Sequence, residues 1–246
     1  MSLIEQSEEF KSLIQFNPNA QLPQQAYLFK PARDDDVFFV CEDVTKTQRM
    51  IYYGNQKWEK WEQKYLDEFR QFLDSNFIVL PKEITEQEIM RQLQANMWDH
   101  KGTLKSVVTT YEWQRDMFPL KMTPEVANLI KSGFLYVGGR DRNFRPLLII
   151  KANVFSAHKP YPNLEQSIMA YVFAIEYINK YFHVPGQVEN WNILVDMKDI
   201  SLLNIPVKSM KGLAVTLQSQ YQCVASKIFL VNISSTFNFI WKTVKQ

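Results

Sequence analysis

Glycine is scarce, with seven residues in a chain of 246. A phosphate-cradling loop has little to be built from, and neither G-x-G-x-x-G nor G-x-x-x-x-G-K-[ST] occurs. Cysteine is scarcer still. Cys41 and Cys223 make no disulfide framework and fit a reducing compartment. The three histidines, His100, His158 and His183, fall in separate elements and there is no H-E-x-x-H, so no metal centre is expected. A net charge of +2 gives no global drive toward nucleic acid or an anionic membrane. No apolar run approaches the ~18 residues of a membrane span. The opening MSLIEQSEEF lacks both an apolar core and an Arg-rich amphipathic run, so neither a secretory signal nor a transit peptide is expected. The expected location is cytoplasmic or peripheral to a membrane, with an organellar place inside an assembly left open.

What the chain does have is aromatic mass, 14% of residues, within a globular composition of 46% hydrophobic and 22% charged residues. Residues 1–80 read as an extension. Segments 36–44 and 49–54, separated by TKTQ, can pair as a β-hairpin, preceded by Asp34, Asp35 and Asp36 as a solvated turn. Trp58, Trp61, Tyr65, Phe69 and Phe72 then recur at three- and four-residue steps, which predicts one aromatic face on a helix over about 55–73. That face either packs on its own domain or docks a partner. Trp58, Trp61, Tyr65 and Phe69 are the candidate partner surface.

Residues 81–132 read as a helical module. Thr85 and Glu88 have capping-box spacing ahead of Ile89, Leu93 and Met97. A second helix runs from near His100 through Tyr111 and Trp113. A third has Thr123 as N-cap, Pro124 at its first position and Gly133 past its end.

From 133 onward the pattern is α/β. FLYVGGRDRNFRPLLII reads as strand, turn, strand. A long helix covers about 163–182, and ILVD at 193–196 enters a sheet. Another helix opens at Pro206 and turns Leu213, Leu217 and Tyr221 inward. KIFLVN at 227–232 reads as a buried strand. A helix between two strands requires a parallel, right-handed crossover. Phe237, Ile240, Trp241 and Val244 begin one more helical face.

The acidic pair Asp196 and Asp199 sits in a strand-exit turn and reads as structural. Cys223 has no histidine nearby in sequence and reads as a structural thiol. No arrangement calls for enzymatic chemistry.

Over about 83–246 these segments together resemble the CRAL-TRIO lipid-binding family. Trp98-Asp99 and Glu112, Trp113 and Arg115 resemble its N-terminal helical module. Asp141, Arg145 and Pro146 match its D-x-x-G-R-P turn, with Phe144 where the family has glycine. The run VENWNILVDMKDIS resembles its central strand. The resemblance implies a mainly parallel sheet flanked by helices that forms the floor of a hydrophobic pocket closed by a gate helix, with lipid as the possible bound molecule and no other cofactor. It also implies departures. Trp191 and Ile193 align with a hydroxyl pair that contacts a lipid headgroup, Cys223 aligns with an acidic anchor, and the gate helix would begin beyond Gln246. The pocket candidates are therefore Trp191, Ile193, Cys223, Phe229, Phe237 and Trp241. The expected function is that of a structural or interaction subunit with a degenerate lipid pocket, completed by a protein partner or a second copy. The alternative is binding or transfer of a hydrophobic ligand between membranes.

Overall fold

A computed structural model describes residues 22–40, 46–157, 162–200 and 207–233, with the side chains of 207–210 left out. Cys41, His158, Phe237, Trp241 and Val244 lie outside the described residues.

The N-terminal part opens with a short helix α1 (Gln24–Leu28), a π-helical turn at Arg33–Val37, and a two-strand ladder of β1 (Phe38–Phe39) and β2 (Gln48–Arg49). Residues 41–44 of the expected hairpin lie outside the described residues; on the other side of the ladder the Met50 N–H still donates to the Val37 carbonyl at 2.7 Å, and beyond it the N–H groups of Tyr52 and Tyr53 donate to the Glu189 carboxylate at 2.7 and 2.9 Å. Asp34 and Asp35 of the acidic turn are exposed as expected, but Asp36 is not. Asp36 is buried, accepts from the Ala32 N–H at 2.9 Å and meets the Arg145 guanidinium at 2.8 Å. A buried carboxylate needs such partners, and the long-range one was invisible in the local charge run.

Helix α2 (Lys60–Ser75) starts five residues later than the aromatic period suggests, leaving Trp58 ahead of it. Helix α3 (Glu86–Ala95) has the Thr85–Glu88 capping box, and the Met97 position falls past its end. Helix α4 (His100–Met117) is capped by Asp99, whose carboxylate accepts from the Gly102 N–H at 2.7 Å. Helix α5 (Pro124–Lys131) has Thr123 as its cap, and Gly133 follows at φ +73°.

The aromatic face closes on its own chain. Phe69 and Leu66 are fully buried with Met90, Leu93 and Trp98, and Trp61 and Tyr65 pack on the Trp98 ring with centroids 5.3 and 4.7 Å away. Trp58, Trp61, Tyr65 and Phe69 are thus interior or flanking parts of a second core rather than a free partner surface. Helix α3 and the Trp98 turn supply the apolar cover that the stripe requires.

The larger core lies under a four-stranded sheet of β3 (Leu135–Arg140), β4 (Pro146–Lys151), β5 (Trp191–Asp196) and β6 (Ala225–Val231), in that spatial order. Strands β3 and β4 form an antiparallel hairpin with a bulge, whereas β4–β5 and β5–β6 are parallel, so the sheet is mainly parallel. Helix α6 (Ala152–Ala157) and α7 (Leu164–Tyr181) connect β4 to β5, and α8 (Val207–Gln220) connects β5 to β6. Residues of α5, α7 and α8 join Leu135, Leu148, Ile150, Trp191 and Ile193 in one cluster. Right-handed crossovers in a sheet that grows in one direction place these helices on one face and leave the other to different cover. Strand β6 is not buried as its apolar run predicts. It is the edge strand, and Ile228 and Phe229 are 60% and 45% exposed.

Candidate functional site: the open face of the sheet

Strand alternation sorts the sheet residues into two faces. On the side away from the helices the register defines cross-strand rows. Tyr136, Ile149, Leu194 and Phe229 stand side by side across all four strands. None of them belongs to the helix-packed cluster, and Tyr136 and Phe229 are exposed. Gly138 lies beside this row, and its missing side chain makes room for Ile149: a Cβ there would stand 2.1 Å from the Ile149 Cδ1. The result is an apolar band across the sheet.

Polar residues bound the band at both ends. In one flanking row Leu147, Asn192 and Lys227 are register partners. The Asn192 amide donates to the Asp141 carboxylate at 2.8 Å, and its Oδ1 is buried without a partner. In the other row Lys151, Asp196 and Val231 align. The Lys151 ammonium lies 5.3 Å from the Tyr136 ring centroid. Asp196 accepts from the Asn232 amide at 2.8 Å and the Lys198 N–H at 3.0 Å, which holds its carboxyl below the ordinary aspartate range. Asp196 is therefore a turn-closing group.

The turn before β4 is built by Asp141. Its Oδ1 accepts from the N–H groups of Asn143 and Arg145, both at 2.9 Å, while its Oδ2 holds Asn192. Phe144 takes the left-handed conformation, φ +62°, that glycine would adopt without strain. Its ring meets Phe29 edge-on at 5.6 Å and joins Leu22, Ala26, Val184 and Val188 in a small cluster. The substitution thus anchors the N-terminal segment.

Several pocket candidates from the sequence lie elsewhere. Trp191 and Ile193 point to the helix-packed face, so Asn192 and Leu194 occupy the open side. In a strand successive side chains alternate between faces, so a one-residue difference in register exchanges the two sets. Trp191 is buried with its ring stacked on His183 at 5.8 Å. Burial first, and then Arg91 and Arg140, push the His183 pKa down to about 3, so this imidazole is neutral. Cys223 packs with the second core near Tyr52, Gln94 and Arg91, and burial pushes its thiol pKa up. It is distant in role from the sheet face and is no activated nucleophile. Phe229 alone of the described candidates stands in the open row.

Sequence reasoning missed Glu189, which is buried and accepts from Gly186, Tyr52 and Tyr53 N–H groups, with Arg91 at 3.7 Å. No local signal marks it, because its partners lie up to 137 residues away. Among the described residues no group of three His, Cys, Asp or Glu side chains could hold a metal ion, and no helix is long and apolar enough to cross a membrane.

Comparison with known proteins places this geometry. No curated protein sequence matches the chain. The crystal structure of Sfh5, a yeast protein, shares the fold with a TM-score of 0.57 at 12% identity, covering 77% of each chain. The family model of the CRAL/TRIO domain matches residues 130–246. The four-stranded sheet and the helices α6, α7 and α8 that back it fall within the stretch that resembles the CRAL/TRIO domain, and their arrangement is the fold shared with Sfh5.

Proposed function

We propose that the protein binds a lipid or similar hydrophobic ligand, with its apolar chain laid along the open face of the sheet. The observation that supports this reading is the row Tyr136, Ile149, Leu194 and Phe229, which presents apolar surface away from the helix-packed core. Removing an alkyl chain from water gains about 0.8 kcal/mol per methylene, so a long chain provides its own driving force. The polar rows set its orientation. Asn192 and Lys227 offer a headgroup hydrogen-bonding partners at one end, and Lys151 offers a cation at the other. The protein acts by binding, without covalent chemistry.

The test is uptake of a fluorescent fatty-acyl probe by the full chain, combined with native mass spectrometry for co-purified lipid. Phe229→Ser, at an exposed position, is expected to weaken uptake by about tenfold, the value of one large apolar contact. Uptake equal to wild type in Phe229→Ser and Leu194→Asn would rule the reading out.

A second reading, a partner-completed structural subunit, is favoured by β6. Ile228 and Phe229 project from opposite faces of an edge strand and both are exposed. A partner or a second copy adding to this edge would cover both and pair its free backbone groups. The aromatic stripe no longer supports this reading, since it is internal. Sedimentation at micromolar concentration distinguishes the two. A monomer that retains lipid favours ligand binding, and a lipid-free dimer favours the assembly.

A further inference from the structure

The loop after α2 presents its largest side chains to water. Phe77 is 95% exposed and Val79 is 92% exposed, while Ile78 and Leu80 between and after them pack into the second core. The chain here alternates strictly, with two residues anchoring the loop and two projecting from it.

The backbone adds a second observation. The Ile78 N–H donates to the Leu73 carbonyl at 2.9 Å and the Phe77 N–H to the Asp74 carbonyl at 3.1 Å, which closes α2 with a left-handed residue at Phe77, φ +55°. Glycine or asparagine normally occupies that position. Phenylalanine there is strained and fully hydrated, so folding gains nothing from it. Helix α3 ends in the same way. The Trp98 N–H donates to the Leu93 carbonyl at 2.8 Å, and the left-handed residue is Met97, φ +51° and 83% exposed. Two helix ends in one module thus place a large apolar side chain where glycine is the better folder.

We infer that Phe77 and Val79 form a wedge that inserts into the surface of a lipid bilayer. Side chains exposed to this degree are knobs on a convex loop, and a fluid lipid surface admits knobs without a matching pocket. The stretch 75–81, SNFIVLP, carries no charge, so its transfer out of bulk water strips no ion. A bilayer is also where a hydrophobic ligand must be collected or delivered, and in that respect the inference rests on the proposed function.

The test is flotation of the full chain with phosphatidylcholine vesicles. Wild type is expected to float. Phe77→Gly is expected to partition about tenfold less, by the loss of one buried aromatic, while melting at the same or a higher temperature. Val79→Ser should shift partition in the same direction, and Val215→Ser, exposed on α8, should not change it. Failure of wild type to float, or equal flotation of Phe77→Gly and Val79→Ser, would overturn the wedge. So would a finding that both substitutions act only by abolishing self-association in the absence of lipid. Uptake of the acyl probe from vesicle-free solution should be unaffected by Phe77→Gly. Absence of that uptake in wild type would remove the ligand reading, whereas the flotation result stands separately.

Discussion

Arg49 and Glu62 are joined through two parallel hydrogen bonds, from Nε to Oε1 at 2.7 Å and from Nη2 to Oε2 at 2.5 Å, with essentially no exposure of either side chain. The guanidinium also donates to the carbonyls of Ile51 and Lys57 and lies against the rings of Phe38 and Trp58, 4.6 and 4.9 Å from their centroids. Glu62 reaches back to the Glu59 N–H at 2.8 Å, so one carboxylate starts α2 and neutralises the buried cation. Removing either partner strands a charge. Glu62→Ala is expected to cost about 3–5 kcal/mol in urea denaturation. A double replacement, Arg49→Met with Glu62→Leu, should cost much less than the sum of the single replacements. Additive losses would show that the pair is not coupled.

Gly54 and Gly186 cross backbone to backbone. A Cβ on Gly54 would stand 2.8 Å from the Gly186 Cα, and both residues have positive φ, +68° and +80°. Alanine at either position meets strain and a backbone atom that has no rotamer to yield. Each substitution should destabilise the protein by more than about 1 kcal/mol. Thermal melting of Gly54→Ala and Gly186→Ala measures this, and Gly133→Ala, where nothing lies within 4 Å, isolates the conformational part.

His183 confers a pH dependence whose sign is fixed by burial. Its pKa falls from 6.5 to about 3 in the fold, so the unfolded chain binds a proton that the folded chain refuses. Its contribution is fully present above about pH 6.5 and is lost as pH falls toward 3, by at most about 5 kcal/mol. His183→Phe, which keeps a ring against Trp191, should flatten the stability profile between those limits. An unchanged slope in equilibrium unfolding at pH 7 and pH 5 would refute the assignment.

Phe144 trades backbone ease for a contact. Phe144→Gly should relax the turn at Asp141 but release the segment that carries Ala26 and Phe29. Faster hydrogen exchange and proteolysis within 22–40 are expected, with the sheet amides unaffected.

Local chemistry was legible in the sequence. The Thr85–Glu88 box, the Thr123 cap with Pro124, and the strand–helix–strand spacing around 191–231 all depend on residues a few positions apart. What could not be read required knowledge of distant partners. Asp36 looked solvated because Arg145 is 109 residues away. The stripe from Trp58 to Phe69 announced an apolar face, but its cover, Leu93 on α3 and Trp98 in the turn after it, lies elsewhere in the sequence. The face on which Trp191 and Ile193 fall is set by the register of β5 against β4 and β6, a long-range pairing that the local sequence does not carry. Strand β6 reads as interior by hydropathy alone, since edge position is a property of the sheet and not of the strand.

The carboxylate of Glu189 has a consequence for any attempt to divide the chain. It sits inside the CRAL/TRIO region, yet its bonds to Tyr52 and Tyr53 and its ion pair with Arg91 all reach outside residues 130–246. Excising the family region would leave an acid built for four partners with one, the Gly186 amide. Tyr52 and Tyr53, together with Arg91 on α3, therefore act as a neutralising collar around an acid of the sheet domain, and the stretch that must stay together to satisfy it is longer than the stretch that the family model matches.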